Sequence, residues 1–431
     1  MSQDDRITVL IASYNTNLQA ERGLPQDLVD WLSPTLDASA LRIEEVEHPS
    51  RAADIVAVGF QELLPLHWGF ASLSKSVIEN RNALILSQIE AHAPNKEKYS
   101  LIAKVVNVGV ALLVYGRDDG VARRVCDVQT QWTGCGPAYL GNKGAVGVRF
   151  RVAGKDGGVG EVYTFVCAHL TAHGYNLPQR IHDYHQIVGT LLFQPSPGSD
   201  RNEPSTIYDT SHLFFFGDLN FRLAIPASHP LGTLSHEALT QKLASEADRE
   251  VLKDCDELRI ERDERRSCFV GFREGEFWKF KCSYKYKLGE VETYDRKRAP
   301  AWTDRIMYTT HTDAPDHPQD TAIENLLYTS IPSYTTSDHK PIVSLLLLPP
   351  PAPATAETQP PKLRLPPDYT PRPDPCATLK RYTGRVLGRI LGYIWCLLTL
   401  VGAGSTVLGI GNFILGLGAW GWWRSRGSVL P

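Results

Sequence analysis

Cysteine is sparse in this chain of 431 residues: there are eight, none is spaced as CxxC, and no Cys-x5-Arg loop occurs. The first absence leaves no thiolate metal site or disulfide framework, so inert thiols in a reducing compartment are expected. The second excludes a phosphate chemistry built on a cysteine nucleophile. The N-terminus lacks the basic flank and long apolar stretch of a secretory signal, so the body of the protein is expected in the cytosol. A basic surplus is missing as well. Lys and Arg number 45 against 48 Asp and Glu, a net charge of -3, whereas a nucleic-acid groove needs clustered positive charge. Acid is missing from one region only. Residues 380–431 hold six Lys or Arg and no Asp or Glu, so the rest carries 39 basic against 48 acidic residues. A basic tail behind an acidic body points to an anionic surface for the tail alone.

Along the body, short apolar runs rich in β-branched residues alternate with helical stretches. Strands are predicted at 7–13, 54–59, 105–115, 122–129, 144–151, 161–168, 212–216, 305–308 and 341–347, and helices at 73–91, 177–193 and 236–253. Many strands with a few covering helices imply two packed sheets with helices on their outer faces. Residues 349–375 contain eleven prolines, the composition of a semi-extended linker. After Lys380, Arg381, Arg385 and Arg389 come 34 uncharged residues, 390–423, eight of them glycine. A bilayer takes about 20 apolar helical residues, so one tilted span or a re-entrant hairpin is expected, with Trp420, Trp422 and Trp423 as an interfacial belt. The expected organisation is a catalytic domain at 1–348, a linker at 349–385, an anchor at 386–423 and a basic tail at 424–431.

Three separated segments carry one kind of chemistry: Phe-Gly-Asp-Leu-Asn-Phe-Arg (216–222), Ala-Pro-Ala-Trp-Thr-Asp-Arg-Ile (299–306) and Ser-Asp-His-Lys-Pro (337–341). They hold hard oxygen ligands, amide donors and a carboxylate-backed histidine, which a Mg²⁺-dependent phosphoesterase needs to cut a P–O bond with water. Asn15 and Glu62 each end an apolar strand, and an amide oxygen and a carboxylate there suit Mg²⁺. Asp218 and Asn220 follow a buried run, two residues apart and on one side. The carboxylate orients and deprotonates water, while the amide donates to a phosphoryl oxygen. Asp338 and His339 supply a proton acceptor or a phosphate-holding imidazole, whose tautomer Asp304 fixes. His169 ends a further apolar run and stabilises the pentavalent state.

These residues make the chain resemble the inositol polyphosphate 5-phosphatases of the endonuclease/exonuclease/phosphatase superfamily, from about residue 5 to 348. The most specific matches are 216–222 and 298–305. The segments Phe280–Tyr286 and Gly141–Gly144 are similar to the phosphoinositide branch. The resemblance implies a four-layer α/β/β/α sandwich of two mostly antiparallel sheets, Mg²⁺ dependence and hydrolysis of the 5-phosphate of inositol headgroups. It puts Asn15 and Glu62 at the metal, Asp218 on the water, Asn220 and His169 on the scissile phosphate, and Asp304 behind His339. Tyr284, Lys285 and Arg296 would clasp the 4-phosphate, with Arg298 in the same basic cluster and Asn142 and Lys143 joining the pocket. Three positions depart from the family pattern: Thr303 stands for its Cys, Cys282-Ser283 for Pro-Thr, and Tyr14 for Trp. None removes a catalytic group.

The resulting expectation is a phosphatidylinositol-4,5-bisphosphate 5-phosphatase held by its C-terminal tail at a cytosol-facing endomembrane such as the endoplasmic reticulum, with no nucleic-acid partner. The alternatives are a nuclease or sphingomyelinase of the same superfamily, which the acidic body disfavours, and a catalytically inactive headgroup-binding tether, which the intact site residues disfavour.

Overall fold

The computed structural model describes residues 6–18, 52–154, 158–195, 203–317, 320–352, 359–402, 411, 413–420 and 422. The strands in its first half are β1 (Thr8–Asn15), β2 (Ile55–Gln61), β3 (Tyr99–Asn107), β4 (Val110–Arg117), β5 (Val125–Gly134) and β6 (Gly144–Val152). Those in its second half are β7 (Glu161–His169), β8 (His212–Asp218), β9 (Arg273–Glu274), β10 (Asp304–Thr310), β11 (Glu324–Ser330) and β12 (Ile342–Leu347). They form two six-stranded sheets, ordered β11-β12-β1-β2-β4-β3 and β5-β6-β7-β8-β10-β9. The sheets are mixed: β1 runs parallel to β2 and β7 parallel to β8, while the other pairings are antiparallel.

The helices are α1 (Leu66–Phe70), α2 (Lys75–His92), α3 (Leu177–Thr190), α4 (His236–Lys242), α5 (Glu246–Leu252) and α6 (Ala377–Leu400). Strand alternation sorts the core into layers. Val9, Ile11, Ile55, Ala57, Phe165, Phe214 and Phe216 point between the sheets. Leu10, Ala12, Val56 and Val58 point outward, where Val77, Ile78, Ile85 and Ile89 of α2 cover them. On the other sheet, Val166, Ala168, Leu213 and Phe215 meet Tyr184, Ile187 and Val188 of α3. This is a helix–sheet–sheet–helix stack, the four layers expected.

Local chemistry moved several boundaries. The run 105–115 breaks into β3 and β4 at Val108-Gly109, where Val108 adopts φ 56°. Ser245 interrupts 236–253 by capping α5, its hydroxyl accepting from Asp248 N, which is the N-terminal capping such residues favour. Strand β11 had no alternation to reveal it, and a bulge between Asn325 and Leu327 shifts its register.

The C-terminal region corrects one expectation. Among the described residues no helix is long and apolar enough to cross a membrane, because α6 carries Lys380, Arg381, Arg385 and Arg389. Residues 403–410, 412, 421 and 423–431 of the anticipated anchor and tail lie outside the described residues. The proline-rich stretch 359–376 forms no helix or strand, yet it is tied to the body. Ser211 Oγ donates to Pro361 O at 2.6 Å, Leu363 N to Thr210 O at 2.9 Å and Asp374 N to Gly189 O at 2.8 Å. Leu363, Leu365 and Tyr369 pack on the α3 side of the core. This strap delivers α6 to the body, where Gly388 approaches Phe70 of α1 and Gly384 approaches Tyr139.

Candidate active site

Strand direction and register gather the functional side chains on one rim. His169 ends β7 and pairs with Asp218, which ends the parallel β8. Strand β10 runs the opposite way, so its first residue, Asp304, pairs with the same Asp218. Asn15 ends β1 beside Gln61, Glu62 is the next residue, and His339 lies just before β12. Two of these positions need unusual backbone: Glu62 has φ 50° and Asn220 φ 59°, left-handed conformations uncommon for residues that carry a side chain. At Gly217, φ 137° brings the chain against Ala168 O, where any Cβ would collide.

Asp218 is the hub. Its Oδ2 accepts from Asn15 Nδ2 at 2.9 Å and stands 3.2 Å from His169 Nε2 and 3.9 Å from His339 Nε2. Its Oδ1 accepts from Asn220 N at 3.2 Å. Burial opposes its charge, but His339, His169 and Lys143 hold the carboxyl well below the usual carboxylate range. His339 Nδ1 lies 2.9 Å from Asp304 Oδ2. Burial lowers this imidazole, yet the Asp304 and Asp218 carboxylates outweigh it and raise His339 to about 9. Lys143 Nζ hydrogen-bonds His169 Nε2, and burial lowers the lysine against the pull of Asp218 and Glu62.

These groups form the floor of a cavity of about 380 Å³. Glu62, Tyr284, Arg298, Asp338 and His339 line it, as do Lys143, His169, Asp218 and Asn220. Tyr284 packs its ring 4.6 Å from that of His339, and Arg222 lies 4.5 Å above Tyr284. Asn15 sits behind the floor, 1% exposed, with its Oδ1 accepting from Asn17 N at 3.1 Å. Three further expected residues do not line the cavity. Lys285 pairs with Asp338 at 2.9 Å, which outweighs burial and raises the lysine. Arg296 points to solvent, its side chain 84% exposed and 3.9 Å from Glu237. Asn142 buries its Oδ1 without a hydrogen-bond partner. Asn220 turns its amide inward, Nδ2 donating to Leu170 O at 3.1 Å, and its Oδ1 takes a hydrogen bond from Arg222.

Sequence reasoning passed over several contributors. Arg222 stood inside a recognised segment without a role, and His173, four residues after His169, also lines the cavity. Burial, then the charges of Arg298, Arg222 and Lys143, push the His173 imidazole down, a mark of positive potential in the pocket. Ser283 and Thr303, two of the departures from the family pattern, both donate to Asp304 Oδ2, at 2.6 Å and 2.9 Å. The substituted positions therefore orient the carboxylate that holds His339.

A family model described as Endonuclease/Exonuclease/phosphatase family 2 matches residues 12–345. Synaptojanin-2 of Rattus norvegicus is 30% identical over 311 residues, 70% of this chain, which spans only 19% of that protein's length. Type I inositol polyphosphate 5-phosphatase 8 of Arabidopsis thaliana is 29% identical over 74% of this chain and 66% of its own. Among solved structures, the inositol polyphosphate 5-phosphatase domain of a synaptojanin, in complex with inositol (1,4)-bisphosphate and a calcium ion, superposes with a TM-score of 0.57. It is 25% identical, over 80% of this chain and 84% of its own. With this match over 12–345 and this superposition, the chain belongs to the inositol polyphosphate 5-phosphatase family within the endonuclease/exonuclease/phosphatase superfamily.

Proposed function

We propose that the chain is a Mg²⁺-dependent phosphomonoesterase that removes the 5-phosphate from phosphoinositides, converting PtdIns(4,5)P₂ to PtdIns4P by in-line attack of water. The observation that carries this reading is the ionised Asp218 set between two histidines beneath a cavity that Lys143, Arg222, Lys297 and Arg298 line. The inositol bisphosphate bound by the synaptojanin domain supports it.

The donor set fits a hard divalent cation. Glu62 offers a carboxylate to the cavity 3.9 Å from His169, and the amide oxygen of Asn15 keeps a second lone pair beyond the one Asn17 N uses. Such oxygens, one of them charged, suit Mg²⁺, which keeps most of its waters. Glu62 and Asn15 would hold Mg²⁺, which would supply Lewis-acid charge at the phosphoryl oxygens and ease ionisation of water.

The chain's own residues do the rest. Asp218 orients the attacking water, its lone pairs aimed by Asn15 and His169, and accepts the proton. The negative charge of an entering phosphate opposes the depression of this carboxyl and moves it toward a useful proton acceptor. His339 carries a proton at neutral pH and donates from Nε2, while Asp304, itself held by Ser283 and Thr303, keeps Nδ1 engaged. His169 stabilises charge on the transferring group, and Asn220 joins it by exchanging Leu170 O for a phosphoryl oxygen as the acceptor of its Nδ2. Tyr284, Lys285, Arg296 and Arg298 bind the neighbouring 4-phosphate, Lys285 exchanging its Asp338 partner for it, and Asn142 and Lys143 complete the phosphate pocket.

The deciding measurement is phosphate release by the full-length protein from short-chain PtdIns(4,5)P₂ and PtdIns4P, with Mg²⁺ or EDTA. EDTA-sensitive release from the first alone, leaving PtdIns4P, is expected. Equal release from both would remove the 5-position, and indifference to EDTA would remove the cation.

We further propose that the enzyme works at the cytosolic face of an endomembrane such as the endoplasmic reticulum, with α6 lying in the interface. Its basic residues and its exposed Val386, Ile390, Tyr393, Ile394 and Leu397 support this, the pattern of a helix that rests in a membrane surface. Replacing Ile390 and Ile394 together by Gln should lower the vesicle-bound fraction, and an unchanged fraction would place the contact elsewhere.

A further inference from the structure

Helix α6 carries three parallel stripes, each with its own environment. Gly384, Gly388 and Gly392 recur every four residues and face the body. A Cβ at Gly384 would collide with Tyr139 O and one at Gly392 with Ala71 N, and at Gly388 it would lie 3.1 Å from Phe70 Cδ1. Contact this close needs glycine. Tyr382, Val386, Ile390, Tyr393, Ile394 and Leu397 form an exposed apolar stripe.

The third stripe is Arg381, Arg385 and Arg389, again one turn apart. Together with Ser72, Ser74, Asn107 and Trp132 these arginines border a cavity of about 180 Å³ between the helix and the body. No carboxylate lines this cavity among the described residues. The Arg385 guanidinium sits 3.4 Å over the Trp132 ring and that of Arg381 5.3 Å from it. Arg381 Nε is buried without a hydrogen-bond partner, and Arg389 Nε donates to Ser72 Oγ at 3.3 Å. Burial, then the charges of Arg389 and Arg381, push the Arg385 guanidinium down. Like charges one turn apart destabilise a helix, and a half-buried cluster without a counter-charge is costly.

We propose that this groove binds the phosphate group of an anionic membrane lipid, seated between α6 and the body while the apolar stripe of the helix rests in the same leaflet. Arginine forks match phosphate oxygens, and the Ser72, Ser74 and Asn107 side chains add neutral donors. At about 30 Å³ per water, a cavity of 180 Å³ has room for a phosphate and a few waters. The site is separate from the cavity beneath Arg298 and Tyr284, shares only the chain with it, and needs no metal.

This inference rests on the membrane reading above, so its test separates the two. The full-length protein is sedimented with phosphatidylcholine vesicles with and without phosphatidic acid. The native protein should prefer the anionic vesicles, and failure to bind either kind would overturn both readings. Arg385→Gln with Arg389→Gln should weaken binding to the phosphatidic acid vesicles about 25-fold, about fivefold for each arginine. Lys96→Gln with Lys98→Gln, which removes equal charge from the turn after α2, should change it far less. Unchanged binding by the arginine variant, or an equal loss in the lysine variant, would overturn the groove and leave the membrane reading standing. Soluble glycerol phosphate that displaces the protein at concentrations near the lipid's own would reassign the groove to free phosphate. Native-like melting and hydrolysis of a soluble substrate by the arginine variant exclude misfolding as the cause.

Discussion

A buried carboxylate–histidine cluster stands at each end of strands β7, β8 and β10, and the two ends differ in kind. At one end stand Asp218, Asp304 and His339; at the other, Glu161, His212 and His311. Burial does not distinguish them, for exposures are 1, 0 and 5% at the first and 7, 1 and 9% at the second. Their surroundings do. At the second end the polar atoms of Glu161 and His212 are used within the fold. Glu161 Oε1 accepts from Ala352 N at 2.9 Å, Oε2 stands 3.0 Å from His212 Nε2 and accepts from Tyr163 OH at 3.2 Å, and His212 Nδ1 meets Thr310 Oγ1 at 2.9 Å. At the first end Asp218 and His339 face a cavity of about 380 Å³ edged with lysine and arginine. Buried carboxylates and histidines in contact thus form a structural brace or a candidate reaction centre according to what stands opposite them.

That contrast can be broken by substitution. Asp218→Ala should cut kcat/KM on PtdIns(4,5)P₂ about 10³- to 10⁴-fold with the fold intact; near-native turnover would remove it from the water-activating role. Asp304→Asn should lower the rate about 10²-fold through a misheld His339, and a loss confined to KM would argue against positioning. Lys285→Ala should weaken turnover about tenfold for 4,5-bisphosphate substrates and leave those lacking a 4-phosphate nearly unchanged. An equal loss on both would dismiss the 4-phosphate assignment.

Glu161→Gln should leave kcat/KM unchanged and destabilise the fold by roughly 3 kcal/mol near neutral pH. The pH dependence sharpens this. Burial opposes the Glu161 charge, but His212 prevails and lowers the carboxyl from 4.5 to about 2. A carboxyl lower in the folded than in the unfolded chain stabilises above the unfolded value, and that contribution fades as pH falls through the folded one. The stability gap between native protein and variant should therefore hold above about pH 4.5 and close toward pH 2. Denaturant unfolding across that range checks it, and a gap independent of pH would exclude the charge as its source.

Much of the catalytic end was legible because the chemistry ends apolar runs. Asn15, Glu62, His169 and Asp218 each follow a buried strand, so their convergence on one rim follows from strand direction alone. Arg222, His173 and the paired hydroxyls on Asp304 were not, since each acquires its role from a neighbour distant in sequence. Ser283 lies 21 residues from Asp304, and no local pattern joins them. At residues 390–423 the apolar run implied a tilted span or a re-entrant hairpin; the part described as α6 ends at Leu400 and lays Gly384, Gly388 and Gly392 against the body, while 403–410, 412, 421 and 423 lie outside the described residues.

By itself the amino-acid order determined the layers and which polar groups end the apolar strands, because side-chain alternation with period two and the ends of apolar runs are local properties of a strand. Only the tertiary structure decided which polar groups confront which. It set Asp218 against two histidines and a cavity, closed Glu161 within hydrogen bonds of its own, and laid α6 along the body with its arginines over Trp132. The physical reason is that charge and burial act through space: the field at a carboxylate comes from groups that folding brings near, whatever their distance along the chain.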